Sequence, residues 1–261
     1  MLVCARYSRG MNLLLDCGNS RLKWAIASDD PVPVRCFLER GVVSYDAMAL
    51  SAWATHLERF PIAQIRFSSV IAPQQEENVF AALASLTANP VRFRVSLRAG
   101  ALRNAYATPD TLGVDRWAAA IGAWETVRKS CLVVSAGTAT TIDLIESSQP
   151  DAAVYRGGLI LPGLALMLQS LHQRTARLPQ AEGRYCAAPC VADNTHDAMT
   201  SGALEATCGA IERMGRRLGG DAPWLLTGGN AKQLQAVLGQ KVRVVEDLVL
   251  QGLATHELMG S

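Results

Sequence analysis

Residues Leu13-Leu14-Leu15-Asp16-Cys17-Gly18-Asn19-Ser20-Arg21-Leu22-Lys23-Trp24-Ala25-Ile26 run apolar, break, and run apolar again. The first run is long enough for a strand and ends in a carboxylate, a glycine and two small polar residues. Extended chain on both sides of a glycine-containing turn predicts a β-hairpin. The contents of the turn carry more than its shape. Glycine lets the backbone come close to a ligand, Asn and Ser tolerate tight turns and donate hydrogen bonds, and successive N–H groups form an anion nest. Asp16 at the strand end can hold a cation or its water beside a bound polyphosphate. The turn predicts a kinase site assembled around it.

The same logic returns at Cys131-Leu132-Val133-Val134-Ser135-Ala136-Gly137-Thr138-Ala139-Thr140-Thr141-Ile142-Asp143-Leu144-Ile145. Laid together, Asp16 falls on Ser135 and Gly18 on Gly137. Two such stretches, each starting an α/β half, predict a duplicated domain. A third turn follows in Trp224-Leu225-Leu226-Thr227-Gly228-Gly229-Asn230, read as a strand, a diglycine turn and a helix start. One glycine turn alone is more often a plain hairpin. Three, at Gly18, Gly137 and Gly228, each after an apolar strand, predict a phosphate chain clamped from both sides, because ligands of α/β proteins gather at strand ends.

The intervening chain alternates in type. Arg35 to Val43 reads as a strand, and Tyr45 to Phe60 as a helix with Met48, Leu50, Trp53, Leu57 and Phe60 at helical spacing. Ile65 to Val70 alternates as a strand, Glu76 to Leu86 is a helix, and Val91 to Val95 a strand. Ala105 to Gly113 is a loop, and Asp115 opens a helix from Arg116 to Val127. Tyr155 to Gly163 is a glycine-punctuated strand and turn. Leu164, Leu168, Leu171, Thr175 and Leu178 form one helical stripe. Asn194 to Gly215 is a helix, Val242 to Val245 a strand and Leu248 to Leu258 a terminal helix. The fold class is α/β.

Composition narrows the class. The 261 residues are 49% hydrophobic and 18% charged, which marks a globular chain with a real core. A net charge of +2 without blocks of like charge gives no nucleic-acid footprint. The longest apolar stretch, Gly157 to Leu168, is broken by Pro162 and is too short to span a bilayer. Residues 1 to 10 lack the apolar region of a signal peptide, so they read as a disordered leader or an upstream start before Met11. Seven scattered cysteines do not form a disulfide framework, and Cys186, Cys190 and His196 lack the further ligands of a zinc site. The reading is a reduced, cytoplasmic protein.

Single residues carry two readings each. Asp115 is an N-cap of its helix and also a general base for an attacking hydroxyl; the two are compatible. Arg116 either neutralises a substrate carboxylate or phosphate or forms a surface ion pair. Lys23 reaches the phosphates or is a solvated strand residue. Trp24, Trp53, Trp117 and Trp124 sit at core-like spacing. Tyr106, in a proline-bounded loop, is a candidate for substrate contact. Asp143 is open between a charge aimed at the ligand and a strand-edge residue.

Taken together these residues resemble the type III pantothenate kinases of the acetate and sugar kinase/heat-shock/actin superfamily. The resemblance runs from Met11 onward. It rests on Asp16 to Arg21, Tyr106 to Arg116, Ala136 to Asp143, Gly158 to Gly163, Asn194-Thr195 with Gly202, and Thr227 to Gly229. It implies duplicated actin-like (ribonuclease H-like) domains, mixed sheets flanked by helices with an ATP cleft between them. Domain limits of 11–128 and 129–261 follow, with the last helix free to pack back on the first domain. It implies phosphorylation of pantothenate by ATP to 4'-phosphopantothenate, the opening step of coenzyme A synthesis. By carry-over, Asp16, Cys17, Gly18, Asn19, Ser20, Arg21 and Lys23 hold the phosphates, with magnesium at Asp16. Gly137 and Thr138 contact ATP, and Gly228 and Gly229 approach the adenosine. Asp115 is the proton acceptor, and Tyr106, Gly113, Val114, Arg116 and Thr195 line the pantothenate pocket. The family binds a monovalent cation, K+ or NH4+, through an Asp where this chain has Ser135, a poorer ligand for it. Family members are homodimers, and the apolar helix after Pro162 is a candidate contact. No nucleic-acid or membrane partner is implied. The alternatives are a superfamily kinase of another small alcohol and a non-catalytic nucleotide-binding accessory factor for transcription.

Overall fold

The computed structural model describes residues 10–28, 37–86, 89–149, 151–180 and 182–255. The chain divides into two compact units. The first takes the residues up to Ala99, then Thr108–Gly122, and again from Val249; the second takes Gly100–Ala107 and Ala123–Leu248.

The first unit holds strands β1 (Met11–Cys17), β2 (Leu22–Ser28), β3 (Glu39–Val43), β4 (Ile62–Ser69) and β5 (Pro90–Arg92), with helices α1 (Ala47–Leu57) and α2 (Pro73–Ala82). Its sheet order is β3-β2-β1-β4-β5. The pairs β1–β2 and β2–β3 are antiparallel, and β1–β4 and β4–β5 are parallel. The four-residue turn of residues 18–21 permits the antiparallel β1–β2 pair, whereas a helical crossover through α1 is what a parallel partner requires.

The second unit repeats the plan. Strands β8 (Cys131–Ala136), β9 (Ala139–Gln149), β10 (Ala152–Pro162), β11 (Trp224–Thr227) and β12 (Val242–Val244) run in the order β10-β9-β8-β11-β12. The directions are again antiparallel, antiparallel, parallel, parallel. Beyond β10 the sheet of this unit continues with β7 (Leu102–Asn104); the two-residue β6 (Arg98–Ala99) belongs to the first unit. The duplication inferred from Asp16 and Ser135 is therefore a duplication of topology: β1 corresponds to β8, β2 to β9 and β4 to β11.

Alternation sorts each central strand. Leu13, Leu15 and Cys17 join Leu22, Trp24, Ile26, Ile65 and Phe67 in one core with Leu50, Trp53 and Leu57 of α1 and Val79 of α2. Asn12, Leu14 and Asp16 point to the other face, as period-two geometry demands. All seven residues of β1 are buried. Burying each leucine there contributes about 1.5–3 kcal/mol. In β8, Leu132, Val134 and Ala136 pack with α5 (Thr195–Gly215) and α6 (Ala231–Leu238), and Ser135 lies on the opposite face. Asp16 and Ser135 thus hold equivalent faces of equivalent strands.

Element ends differ from the sequence reading for local reasons. α1 begins after Asp46, whose carboxylate accepts the Ala49 N–H at 2.9 Å. α2 begins at Pro73, ahead of Glu76, because proline suits the first helical position. β5 is Pro90–Arg92, not Val91–Val95, since only Ile65–Phe67 pair with it. α4 (Leu164–Arg174) stops at Thr175, so Leu178 lies beyond the helix. The leader up to Arg9, the first residues of the Arg35–Val43 strand and the end of the Leu248–Leu258 helix lie outside the described residues. The described part of that helix is α7 (Leu248–Leu253). There Gly252 sits so close to Ala118 that a Cβ would meet the Ala118 carbonyl oxygen at 2.0 Å.

Candidate active site

In the first unit, Asp16 pairs with Lys23 and Cys17 with Leu22, which leaves Gly18, Asn19, Ser20 and Arg21 as the connecting turn. The turn is pinned at three points. The Gly18 N–H donates to the Asp16 carbonyl at 3.1 Å, the Val70 N–H donates to the Cys17 carbonyl at 3.1 Å, and the Tyr45 hydroxyl donates to the Gly18 carbonyl at 2.7 Å. Tyr45, which the sequence reading placed in the helix, belongs to the segment before α1. Asp16 is 7% exposed. Asn19, Ser20 and Arg21 are exposed. The Cys17 thiol lies in the core, and burial, then the Asp16 charge, pushes it up to about 12. It is a packing group, and only its backbone is available to the turn.

Asp115 also belongs to the first unit, in the first turn of α3 (Val114–Val127). Here the reading of Asp115 as N-cap is corrected. The Trp117 N–H donates to the Gly113 carbonyl at 3.1 Å, so the cap position falls on Gly113. Asp115 is half-buried, and its Oδ1 accepts the Arg116 N–H at 2.9 Å. Its charge sits at the positive end of the helix dipole. A Cβ at Gly113 would come within 2.7 Å of Asp115 Oδ1, so the glycine makes room for the carboxylate. Arg116 is 5% exposed and buried, not the surface cation that its type usually is. Trp117 is fully buried beside it, donating its indole N–H to the Ser96 hydroxyl at 3.3 Å.

The second unit carries the second turn. Ser135 pairs with Thr141 and Ala136 with Thr140, so Gly137, Thr138 and Ala139 connect the last paired residues. The Gly163 N–H, just before α4, donates to the Thr138 carbonyl at 2.9 Å, and a Cβ on Gly163 would lie 2.2 Å from the Gly137 carbonyl oxygen. The Gly157 to Gly163 block therefore lets β10 close over the turn; a Cβ on Gly158 would lie 1.8 Å from the Ile142 carbonyl oxygen. The third turn joins the second: the Asn230 N–H donates to the Ala136 carbonyl at 3.1 Å. Gly228 has φ +96, and its Cβ would meet that same carbonyl oxygen at 2.5 Å, whereas Gly229 faces open space.

Tyr106 and Thr195 are also in the second unit. The Tyr106 ring lies against Gly157, where a Cβ would approach its Cε2 to 2.9 Å, and its N–H donates to Asn104 Oδ1 at 2.9 Å. Asp143, left open by the sequence, is 2% exposed and accepts the Tyr155 hydroxyl at 2.9 Å. It is an internal carboxylate. Thr195 opens α5 and is exposed, behind the N-cap Asn194, whose side chain accepts the Asp197 N–H at 3.0 Å. The Asp197 carboxylate lies below the usual range because it accepts the Arg184 N–H and the Asn194 amide.

The family model of the type III pantothenate kinases matches residues 12–217. The chain belongs to this family. A type III pantothenate kinase of Methylobacillus flagellatus is 39% identical over 92% of this chain and 95% of its own length. One of Cupriavidus taiwanensis is 40% identical over 92% and 95%. Among solved structures, a proposed Baf family transcriptional activator from Campylobacter jejuni superposes with a TM-score of 0.56 at 21% identity, covering 92% of this chain and 94% of its own. A proposed 2-dehydro-3-deoxygalactonokinase from Sinorhizobium meliloti gives 0.56 at 14% identity over 94% and 97%. At these identities the solved structures establish the fold alone, the duplicated actin-like one. As a type III pantothenate kinase family member, the chain is a kinase, and the two β-hairpin turns are its equivalents of one another in the two halves.

Proposed function

We propose that this chain transfers the γ-phosphoryl group of ATP to the primary hydroxyl of pantothenate, giving 4'-phosphopantothenate and ADP at the entry to coenzyme A synthesis. Family membership along most of the chain, with Asp115 kept half-exposed at the start of α3, carries the reading. The Asp115 carboxylate accepts the hydroxyl proton as the oxygen bonds to the γ-phosphorus and the bond to the bridging oxygen of ADP breaks. Arg116 neutralises the pantothenate carboxylate, and Tyr106, Gly113, Val114 and Thr195 shape its pocket. Gly18 to Arg21, Lys23, Gly137 and Thr138 hold the phosphates, and Gly229, with open space above it, admits the adenosine. Positioning and preorganised N–H groups supply most of the acceleration.

Asp16 fits a magnesium ion, which keeps waters and takes only one or two carboxylates besides the substrate phosphates. Bound there, it would neutralise charge on the transferring group. Ser135 supplies a neutral hydroxyl where the family carries an Asp, a weaker ligand for potassium or ammonium. Its partners across the ladders are Thr141 and Thr227, so the three offer hydroxyls and no carboxylate.

The protein works in the cytoplasm as a homodimer. No helix among the described residues is long and apolar enough to cross a membrane. Leu159 and Ile160 at the end of β10 and Leu166 and Leu171 on α4 are exposed at 39%, 64%, 45% and 39%, apolar side chains available to a second copy.

Purified protein with ATP, magnesium and pantothenate is expected to yield ADP and phosphopantothenate in a coupled assay. Turnover with another small alcohol and none with pantothenate would replace the substrate. Nucleotide binding without any turnover would favour the accessory-factor reading.

A further inference from the structure

Among the described residues, six buried side-chain nitrogen or oxygen atoms have no hydrogen-bond partner. Two are the indole nitrogens of Trp53 and Trp124; the other four are the hydroxyls of Ser68, Ser69, Thr140 and Thr141. Those four lie on the strands that flank the two glycine turns: Ser68 and Ser69 end β4 beside β1, and Thr140 and Thr141 begin β9 beside β8. An unpaired buried hydroxyl costs stability, so such groups are rare and concentrate where a ligand or its water completes them.

The faces separate the four. Ser69 and Thr140 pair with Cys17 and Ala136, residues of the helix-covered cores. Thr141 shares its face with Ser135, and the carboxylate two residues along on that face, Asp143, already accepts the Tyr155 hydroxyl. Ser68 is different. It pairs in parallel register with Asp16, on the face turned away from the Cys17 core, and is 1% exposed. In-register neighbours on parallel strands stand about 4.8 Å apart and project to the same side.

We infer that Ser68 is a positioning residue of the metal–phosphate site. Its hydroxyl completes, with the Asp16 carboxylate, the hydrogen bonding of the water shell of a divalent cation. Hydroxyls that orient such a shell act through the primary ligand, and their loss typically weakens the site about 10–100-fold. The inference rests on Asp16 being the magnesium side of an ATP site. Among the described residues the Ser68 hydroxyl has no hydrogen-bond partner, so its removal separates function from folding.

The test is Ser68→Ala in the full chain. Calorimetric binding of the non-hydrolysable analogue AMPPNP is measured with and without magnesium, alongside thermal unfolding. Ser68→Ala is expected to bind magnesium–AMPPNP about tenfold more weakly than wild type, with metal-free affinity unchanged and Tm equal or higher. Unchanged magnesium–AMPPNP affinity would overturn the assignment. So would an equal loss with and without magnesium accompanied by a lower Tm, which marks a structural hydroxyl. A wild-type protein that gains no affinity from magnesium would instead remove the reading of Asp16, and the proposal with it.

Discussion

The hydroxyl of Tyr45 donates a 2.7 Å hydrogen bond to the carbonyl of Gly18, 27 residues earlier in the chain. The segment before α1 thereby holds the first turn from outside its own hairpin. Burial raises the Tyr45 hydroxyl well above the ordinary tyrosine range, as do the Cys17 and Asp16 charges, so it remains a donor throughout the working pH range. Tyr45→Phe removes a bond worth about 1 kcal/mol. The expected result is a lower Tm and an ATP KM raised about fivefold, with kcat changed less. Steady-state kinetics and thermal unfolding check both.

Asp115→Asn keeps the shape of the α3 first turn and the acceptor for the Arg116 N–H. It removes the base. Turnover is expected to fall about 10²–10⁴-fold while ATP affinity stays within a factor of two or so. Single-turnover kinetics with a parallel nucleotide titration measure this, and full activity in the variant would remove the base assignment.

The two adjacent glycines of the third turn should respond differently. Gly228 combines φ +96 with a Cβ position 2.5 Å from the Ala136 carbonyl oxygen. Gly228→Ala is expected to cost about 2–4 kcal/mol through left-handed strain and overpacking. Gly229 has nothing within 4 Å of its Cβ position. Gly229→Ala should leave stability within about 0.5 kcal/mol of wild type and raise the ATP KM. Urea denaturation and ATP kinetics on the pair decide it.

Alkali should unfold the protein through its buried thiols. Burial pushes Cys17 and Cys131 from 9.0 up to about 12 in the folded chain. The folded state therefore holds protons that the unfolded chain releases above pH 9.0. Stability from these groups is complete below that pH and is lost as pH rises toward about 12, by about 1.4 kcal/mol per pH unit for each thiol. Urea midpoints should fall between about pH 8 and about pH 10.5, and less steeply in Cys131→Ala.

The sequence alone determined the strand–turn–strand units, their repetition and the fold class. Leu13 to Ile26 is legible because burial of alternate residues writes a period of two into the chain, and because turn residues are chosen by local backbone demands. The placement of Asp16, Gly18, Gly137, Asp115 and Gly228 beside their own strand or helix ends was legible for the same reason. What a residue touches at long range is another matter. The Tyr45 bond to Gly18, the Tyr155 bond to Asp143 and the orphan hydroxyl of Ser68 opposite Asp16 join positions with no common local pattern. They exist only once parallel pairing and packing bring distant strands into register. Asp143 and Arg116 took their buried environments from that packing, and Asp115 lost the cap position because the Trp117 N–H reached Gly113. Local periodicity names the elements; register and burial, which depend on the whole fold, assign each polar group its partner or leave it waiting for one.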